Sequence, residues 1–261
     1  MEMVVADDDG ESRGRYKLPP ARINNEDILF CIDVDSESMS EMKSTGSNGR
    51  PLTRLESVKQ AILLFINTKL FINPDHRFAF ATLAKSASWL RKEFSSDLES
   101  AVATVRGVSA TSSCGQADLT HLFKMAAHEA KKSNAQNRIL RVVLVYCRSS
   151  VRPYHQWPVN QKHFTLDVMY LHDKPGPDNC PQEVYDVLVE TLEHVSEYEG
   201  FIFETGQGVR MLLRSMSVLL SHPQQRTAQE DMNTPKSLVK RVAEADPANG
   251  EDARAVVVSN Q

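Results

Sequence analysis

The chain has no CxxC pair, no long hydrophobic run and no large excess of charge of either sign, and each absence removes a class of protein. Its four cysteines, Cys31, Cys114, Cys147 and Cys180, are scattered through 261 residues. That spacing reads as reduced intracellular thiols, not as a disulfide frame. Fully apolar runs stop at about half a dozen residues, far short of the roughly 20 that a membrane helix needs. A formal charge of −4 provides no basic surface for nucleic acid, so direct nucleic-acid binding is not expected. The eight histidines show neither HxxxH nor HxH spacing. Met1 to Asp9 carries neither a basic segment nor a sustained apolar one, so no secretory signal is expected. These features describe a soluble protein of the cytoplasm or nucleus, with no membrane partner.

Both ends read as polar tails, 1–25 and 224–261, around one domain over 26–223. Within the domain, strand and helix signals alternate. Ile28 to Val34 is apolar almost to its end, as a strand covered on both faces should be. Thr53 with Glu56 forms a capping box ahead of a helix carrying Leu55, Val58, Ile62, Phe65, Ile66 and Leu70. Phe78 to Leu83 reads as a strand, with Ala87 to Leu90 returning as a hairpin partner. Ser96 with Glu99 suggests a second capping box, and Leu119 to Ala126 a further helix. Arg138 to Tyr146 is the strongest strand signal, followed by His163 to Leu171. Pro181 suits the first turn of the next helix. A short strand over Gly200 to Glu204 and a helix over Val209 to Leu220, stopped by Pro223, complete the order. The expected fold is α/β, with a mostly parallel central sheet, one antiparallel hairpin strand, and helices on both faces.

The candidate site is the exit of the first strand, Asp33-x-Asp35-x-Glu37. Hard oxygen donors at the C-terminal edge of such a sheet suit Mg²⁺ or Ca²⁺. The element order and this acidic turn resemble the von Willebrand factor A domain, a Rossmann-like fold. Its metal site uses Asp-x-Ser-x-Ser after the first strand, a Thr at a later helix and an Asp after a central strand. Here Asp33 is kept, but Asp35 and Glu37 replace the hydroxyls, and Ser36 and Ser38 stand one residue out of register. On an extended segment those serines would point to the opposite side. Gln116 falls about where the Thr belongs, and Tyr146-Cys147-Arg148-Ser149-Ser150 offers no Asp. The expectation is a degenerate metal site, with no metal or other cofactor.

Several further segments narrow the resemblance: Ile28 to Met39, the polar loop to Thr53, Phe78-Ala79-Phe80 with Trp89, and Leu171-His172-Asp173. Ser217-Val218-Leu219-Leu220-Ser221-His222-Pro223-Gln224-Gln225-Arg226 is the most specific of them. Together they resemble the von Willebrand A-like scaffold subunits of the BRISC and BRCA-A deubiquitinase complexes, over roughly residues 24 to 227. The resemblance implies a non-catalytic adaptor docked directly on a ubiquitin-conjugating-enzyme-like subunit. A JAMM zinc deubiquitinase and its pseudo-enzyme partner would complete the assembly. It would act on non-degradative, lysine-63-type ubiquitin chains, with roles in DNA-damage response and repair. By the same resemblance Pro223 and Arg226 bind a partner. Physically, Pro223 would stop the helix and present an extended segment, and Arg226 would fork onto a partner carboxylate. Tyr154, Trp157 and Tyr198 are candidate loop anchors.

Two other functions compete. A metal-dependent adhesion-type domain would bind an acidic partner through Asp33. A small nucleotide-binding enzyme would use Gly206-Gln207-Gly208, although that turn lacks a third glycine and follows the last strand instead of the first. Cys114 with His121 or His128 has no surrounding nucleophile signature and reads as a loop thiol.

Overall fold

The computed structural model describes residues 23–45, 49–158 and 161–232. Its eight strands are β1 (Asn25–Asp33), β2 (Glu41–Thr45), β3 (Pro51–Thr53), β4 (Arg77–Leu83), β5 (Ala87–Ser95), β6 (Arg138–Tyr146), β7 (Thr165–Leu171) and β8 (Ile202–Thr205). The five α-helices are α1 (Arg54–Ile72), α2 (Leu98–Gly107), α3 (Thr120–Ala135), α4 (Pro181–Val195) and α5 (Val209–Val218). Six strands form one sheet in the order β5-β4-β1-β6-β7-β8. All its pairings are parallel except β4 with β5.

Alternation along each strand sends side chains to two cores. Leu29, Cys31, Leu140, Val142, Leu166 and Val168 meet α3 and α4 on one face. Ile28, Phe30, Ile32, Val143, Val145 and Met169 meet α1, α2 and α5 on the other. All nine residues of β6 are buried, which explains why it is apolar apart from Arg138 and Arg141. The capping box at Thr53 and Glu56 is present in full. Thr53→Ala should therefore cost about 1 kcal/mol of stability, measurable as a shifted urea midpoint at an unchanged slope.

The structure moves several boundaries. The second expected capping box is replaced by a single cap, because Asp97, not Ser96, accepts from the Glu99 N–H. The polar loop before Thr53 holds a small antiparallel pair, β2 with β3, that the sequence did not suggest. Residues 224–232, assigned above to a tail, are part of the fold. Gln224 accepts from the Asn24 N–H at 3.1 Å, and Gln229 binds both the N–H and the C=O of Ile202. The remainder of both expected tails lies outside the described residues.

Charge is buried at the N-terminal edge of the sheet. Glu26 on β1 and Asp167 on β7 flank Arg141 on β6, at 3.2 and 2.5 Å, and all three side chains are fully buried. Lys69 on α1 also contacts Glu26. His76 accepts from the Glu26 N–H through Nδ1 at 3.1 Å. Burial, with Lys69, His222 and Arg138 nearby, holds its imidazole down to about 4 in spite of Glu26. The unfolded chain therefore takes up the proton first. Stability should be full above about pH 6.5 and fall through about pH 4, by about 3 kcal/mol in all. His222, also held down by burial, acts in the same direction. Denaturant titrations at stepped pH should show this slope, and His76→Gln should flatten part of it.

A strand-exit edge closed by an internal cation

The sheet reverses its order between β1 and β6: from β1 the chain passes to β4 on one side, and β6 lies on the other. The crevice beyond the carboxyl ends of two such strands is the usual ligand position. Here it is filled by Arg148, two residues past β6, which lies against Asp33 at the end of β1. Arg148 Nη2 is 3.0 Å from Asp33 Oδ1, and Nε lies 3.3 and 3.2 Å from its two oxygens. The Cys147 and Asp35 N–H groups donate to the same carboxylate at 3.0 and 3.1 Å. Both side chains are at most 1% exposed. The guanidinium is tied down further by donating to the Gly115 carbonyl at 2.5 Å and to the Ala84 carbonyl. Burial opposes its charge, but Asp33 outweighs that and holds Arg148 above its ordinary value. Burial likewise pushes the Asp33 carboxyl up, against the pull of Arg148 and the two amides.

The other two carboxylates are equally committed. Asp35 Oδ2 accepts from the Cys114 N–H at 2.6 Å, and Oδ1 from the Glu37 N–H at 3.0 Å and Ser36 Oγ at 3.1 Å. Glu37 Oε2 accepts from the Ser149 N–H at 2.8 Å. Arg54 at the start of α1 joins three exit loops. It donates to the Glu37 and Cys147 carbonyls at 3.3 and 3.2 Å and to Asp173 at 2.6 Å. The segment after Asp35 is a 3-10 turn, Ser36–Met39, and not an extended strand. Ser36 therefore bonds back to Asp35, while the buried Ser38 hydroxyl makes no hydrogen bond among the described residues. The strand-alternation argument for these serines does not apply, because the backbone leaves the extended region at that point.

The donor set does not fit the divalent cation that the fold family uses. Asp33 has both oxygens occupied by an arginine and backbone amides. Asp35 and Glu37 act as anchors for other loops. Gln116 donates to the Arg152 carbonyl at 3.2 Å. Among the described residues no group of three or more His, Cys, Asp or Glu side chains is arranged to hold a metal ion. What the edge can do chemically is join loops: β1, β6, the Cys114 loop and α1 are bound into one rigid surface.

The remaining candidates sit elsewhere. Pro223 is buried as the first residue of a short 3-10 turn, Pro223–Gln225. The Arg226 side chain is fully buried and its fork is already taken. Nη1 and Nη2 lie 2.7 and 3.1 Å from the Asp167 oxygens, and the guanidinium stacks 4.2 Å from the Phe201 ring centroid. The carboxylate expected from a partner is supplied by β7 of the same chain, so the structure gives Arg226 an internal role. Tyr154 is exposed, Trp157 packs edge-on against Phe123, and the Tyr198 hydroxyl accepts from Gln224 at 3.3 Å. The Gln207 carbonyl accepts from the Lys43 N–H at 2.7 Å, tying the Gly206–Gly208 turn to β2. Cys114 Sγ donates to the Ser112 carbonyl, while His121 engages the Ala87 carbonyl at 2.7 Å.

Sequence reasoning met Arg148 only as part of a turn that offers no Asp, and it missed Arg54, Arg141 and Asp167. The available signal was charge inside otherwise apolar strands, as in Leu140-Arg141-Val142 and Leu166-Asp167-Val168.

The sheet order, the single antiparallel edge strand and the helices on both faces make this a von Willebrand A-like α/β fold. The VWA domain of SpRpn10 superposes with a TM-score of 0.50 at 11% identity, covering 79% of this chain and all of that one. A D319A mutant of the PilB minor pilin of Streptococcus sanguinis gives 0.52 at 10% identity, over 79% of this chain and 63% of the other. No family profile matches the chain. In sequence it is similar to "BRISC and BRCA1-A complex member 1" of Xenopus laevis, 27% identical over 82% of this chain and 69% of that protein. The Mus musculus protein of the same name is 23% identical over 84% and 69%. The resemblance read in the sequence is the one found.

Proposed function

We propose that the chain is a non-catalytic scaffold subunit of a BRISC or BRCA-A-type deubiquitinase assembly. The observation that carries this reading is the closed edge. The crevice where the fold holds a ligand through a cation is filled by Arg148, so the fold serves as a rigid body for protein contacts. The similarity to proteins named as complex members, over four-fifths of the chain, supports this type of assembly. In this reading a ubiquitin-conjugating-enzyme-like subunit docks directly on the domain. A JAMM zinc protease, with its pseudo-enzyme partner, cuts lysine-63-type chains. The work lies in the cytoplasm and, in the DNA-damage response, in the nucleus.

Affinity purification of the tagged full chain from native extract, read by mass spectrometry, tests the proposal. A JAMM protease and a ubiquitin-conjugating-like subunit should be recovered together. Recovery of neither would sink it.

A further inference from the structure

Among the described residues β8 is the last strand of the sheet and pairs on one side only, with β7. The Phe201 and Thr205 carbonyls point inward, accepting from Val168 and His172 at 2.8 and 3.1 Å. Strand alternation therefore turns the peptide groups of Ile202 and Glu204 outward. At Ile202 that outer edge is already read as a strand would read it. The Gln229 side-chain amide accepts from its N–H at 2.8 Å and donates to its C=O at 2.7 Å, the two bonds of a neighbouring backbone. A groove of about 880 Å³ opens beside this pair, between β8 and α4. Its wall is Tyr185, Leu192 and Ile202, and its rim carries Glu193, Glu197 and Glu230. The lysine on that rim, Lys162, has its ammonium on the Glu193 carbonyl at 2.9 Å. Gly200 forms the floor: a Cβ there would meet the Leu166 carbonyl at 2.1 Å, so the strand can lie this close only as glycine.

We propose that the outer edge of β8 is a docking site for an extended, basic segment of a partner protein. The segment adds as a seventh strand beyond β8, displacing the Gln229 amide and continuing onto Glu204. Strand addition gives affinity through the backbone and selects through alternate side chains. Every second residue faces the groove. There the stem of a Lys or Arg covers the Tyr185 and Leu192 wall, and its charge reaches the glutamate rim. The site lies at the edge of the sheet, two strands from β6 and its central crevice with β1, so it stands or falls independently of the assembly proposed above.

The test is a library of extended peptides with randomised positions, screened against the immobilised full chain. Enrichment of Lys or Arg at alternate positions is expected. Glu193→Lys with Glu197→Lys should reduce retention of the enriched peptides about tenfold or more, since like charges are set against them. Both glutamates are exposed, so the fold should be undisturbed. Gln229→Ala, which removes the internal competitor, should raise retention. Three outcomes would overturn the proposal: no positional enrichment, binding indifferent to the glutamate changes, or a dimer of the chain alone that the same changes dissolve. The last would give the edge to a second copy.

Discussion

Replacing Arg148 by alanine is expected to lower stability by about 3–5 kcal/mol, the cost of leaving one partner of a buried ion pair without the other. For a domain of this size that is about 6–20 °C in melting temperature. The reason is local and complete: Asp33 is fully buried, and Arg148 is its only side-chain hydrogen-bond partner among the described residues. Arg148 also ties in the Gly115 and Ala84 carbonyls, so its loss should loosen the loop carrying Cys114 as well as the crevice. Asp33→Asn combined with Arg148→Met should recover much of the loss, because a neutral pair needs no buried countercharge. A double-mutant cycle on melting temperature measures this. Additive losses would show that the two side chains act separately.

Arg226→Ala should cost about 3 kcal/mol. Asp167 would keep Arg141, at 2.5 Å, but would lose the two-pronged contact that neutralises its outer oxygens. The same change removes the cation from the Phe201 ring and the bond to the Glu199 carbonyl at 2.8 Å. Residues 227–232 would then lose the anchor that begins their path across β8. Arg226→Lys should not rescue, since an ammonium cannot reproduce the fork. Thermal unfolding of the full chain gives the answer. An unchanged melting temperature with weakened assembly would return Arg226 to a partner-binding role.

Most of the fold could be read from pattern. The apolar run Val142 to Tyr146 in β6 declares a strand buried on both faces, the Thr53–Glu56 pair announces α1, and Pro181 opens α4. What could not be read was the fate of the charges. Asp33, Asp35 and Glu37 show a metal-type spacing, and only the fold reveals that their oxygens are occupied by Arg148 and by the Cys114 and Ser149 amides. These partners lie 79 to 115 residues away in the chain. Arg226 shows the same limit from the other direction. After a helix-stopping proline it reads as a free side chain, yet Asp167, whose setting in an apolar strand already hints at a need for a buried cation, claims it. β2 and β3 were missed because Glu41–Thr45 has no apolar alternation to mark it.

The central claim is that an internal guanidinium has replaced the divalent cation at the β1–β6 crevice. Titration calorimetry of the full chain with Mg²⁺ and with Mn²⁺ tests it most directly. The closed edge predicts no saturable heat from either ion, and identical traces for the native chain and Asp33→Asn. A clear isotherm in the native chain that disappears in Asp33→Asn would contradict the account and restore cation-dependent ligand binding as the function.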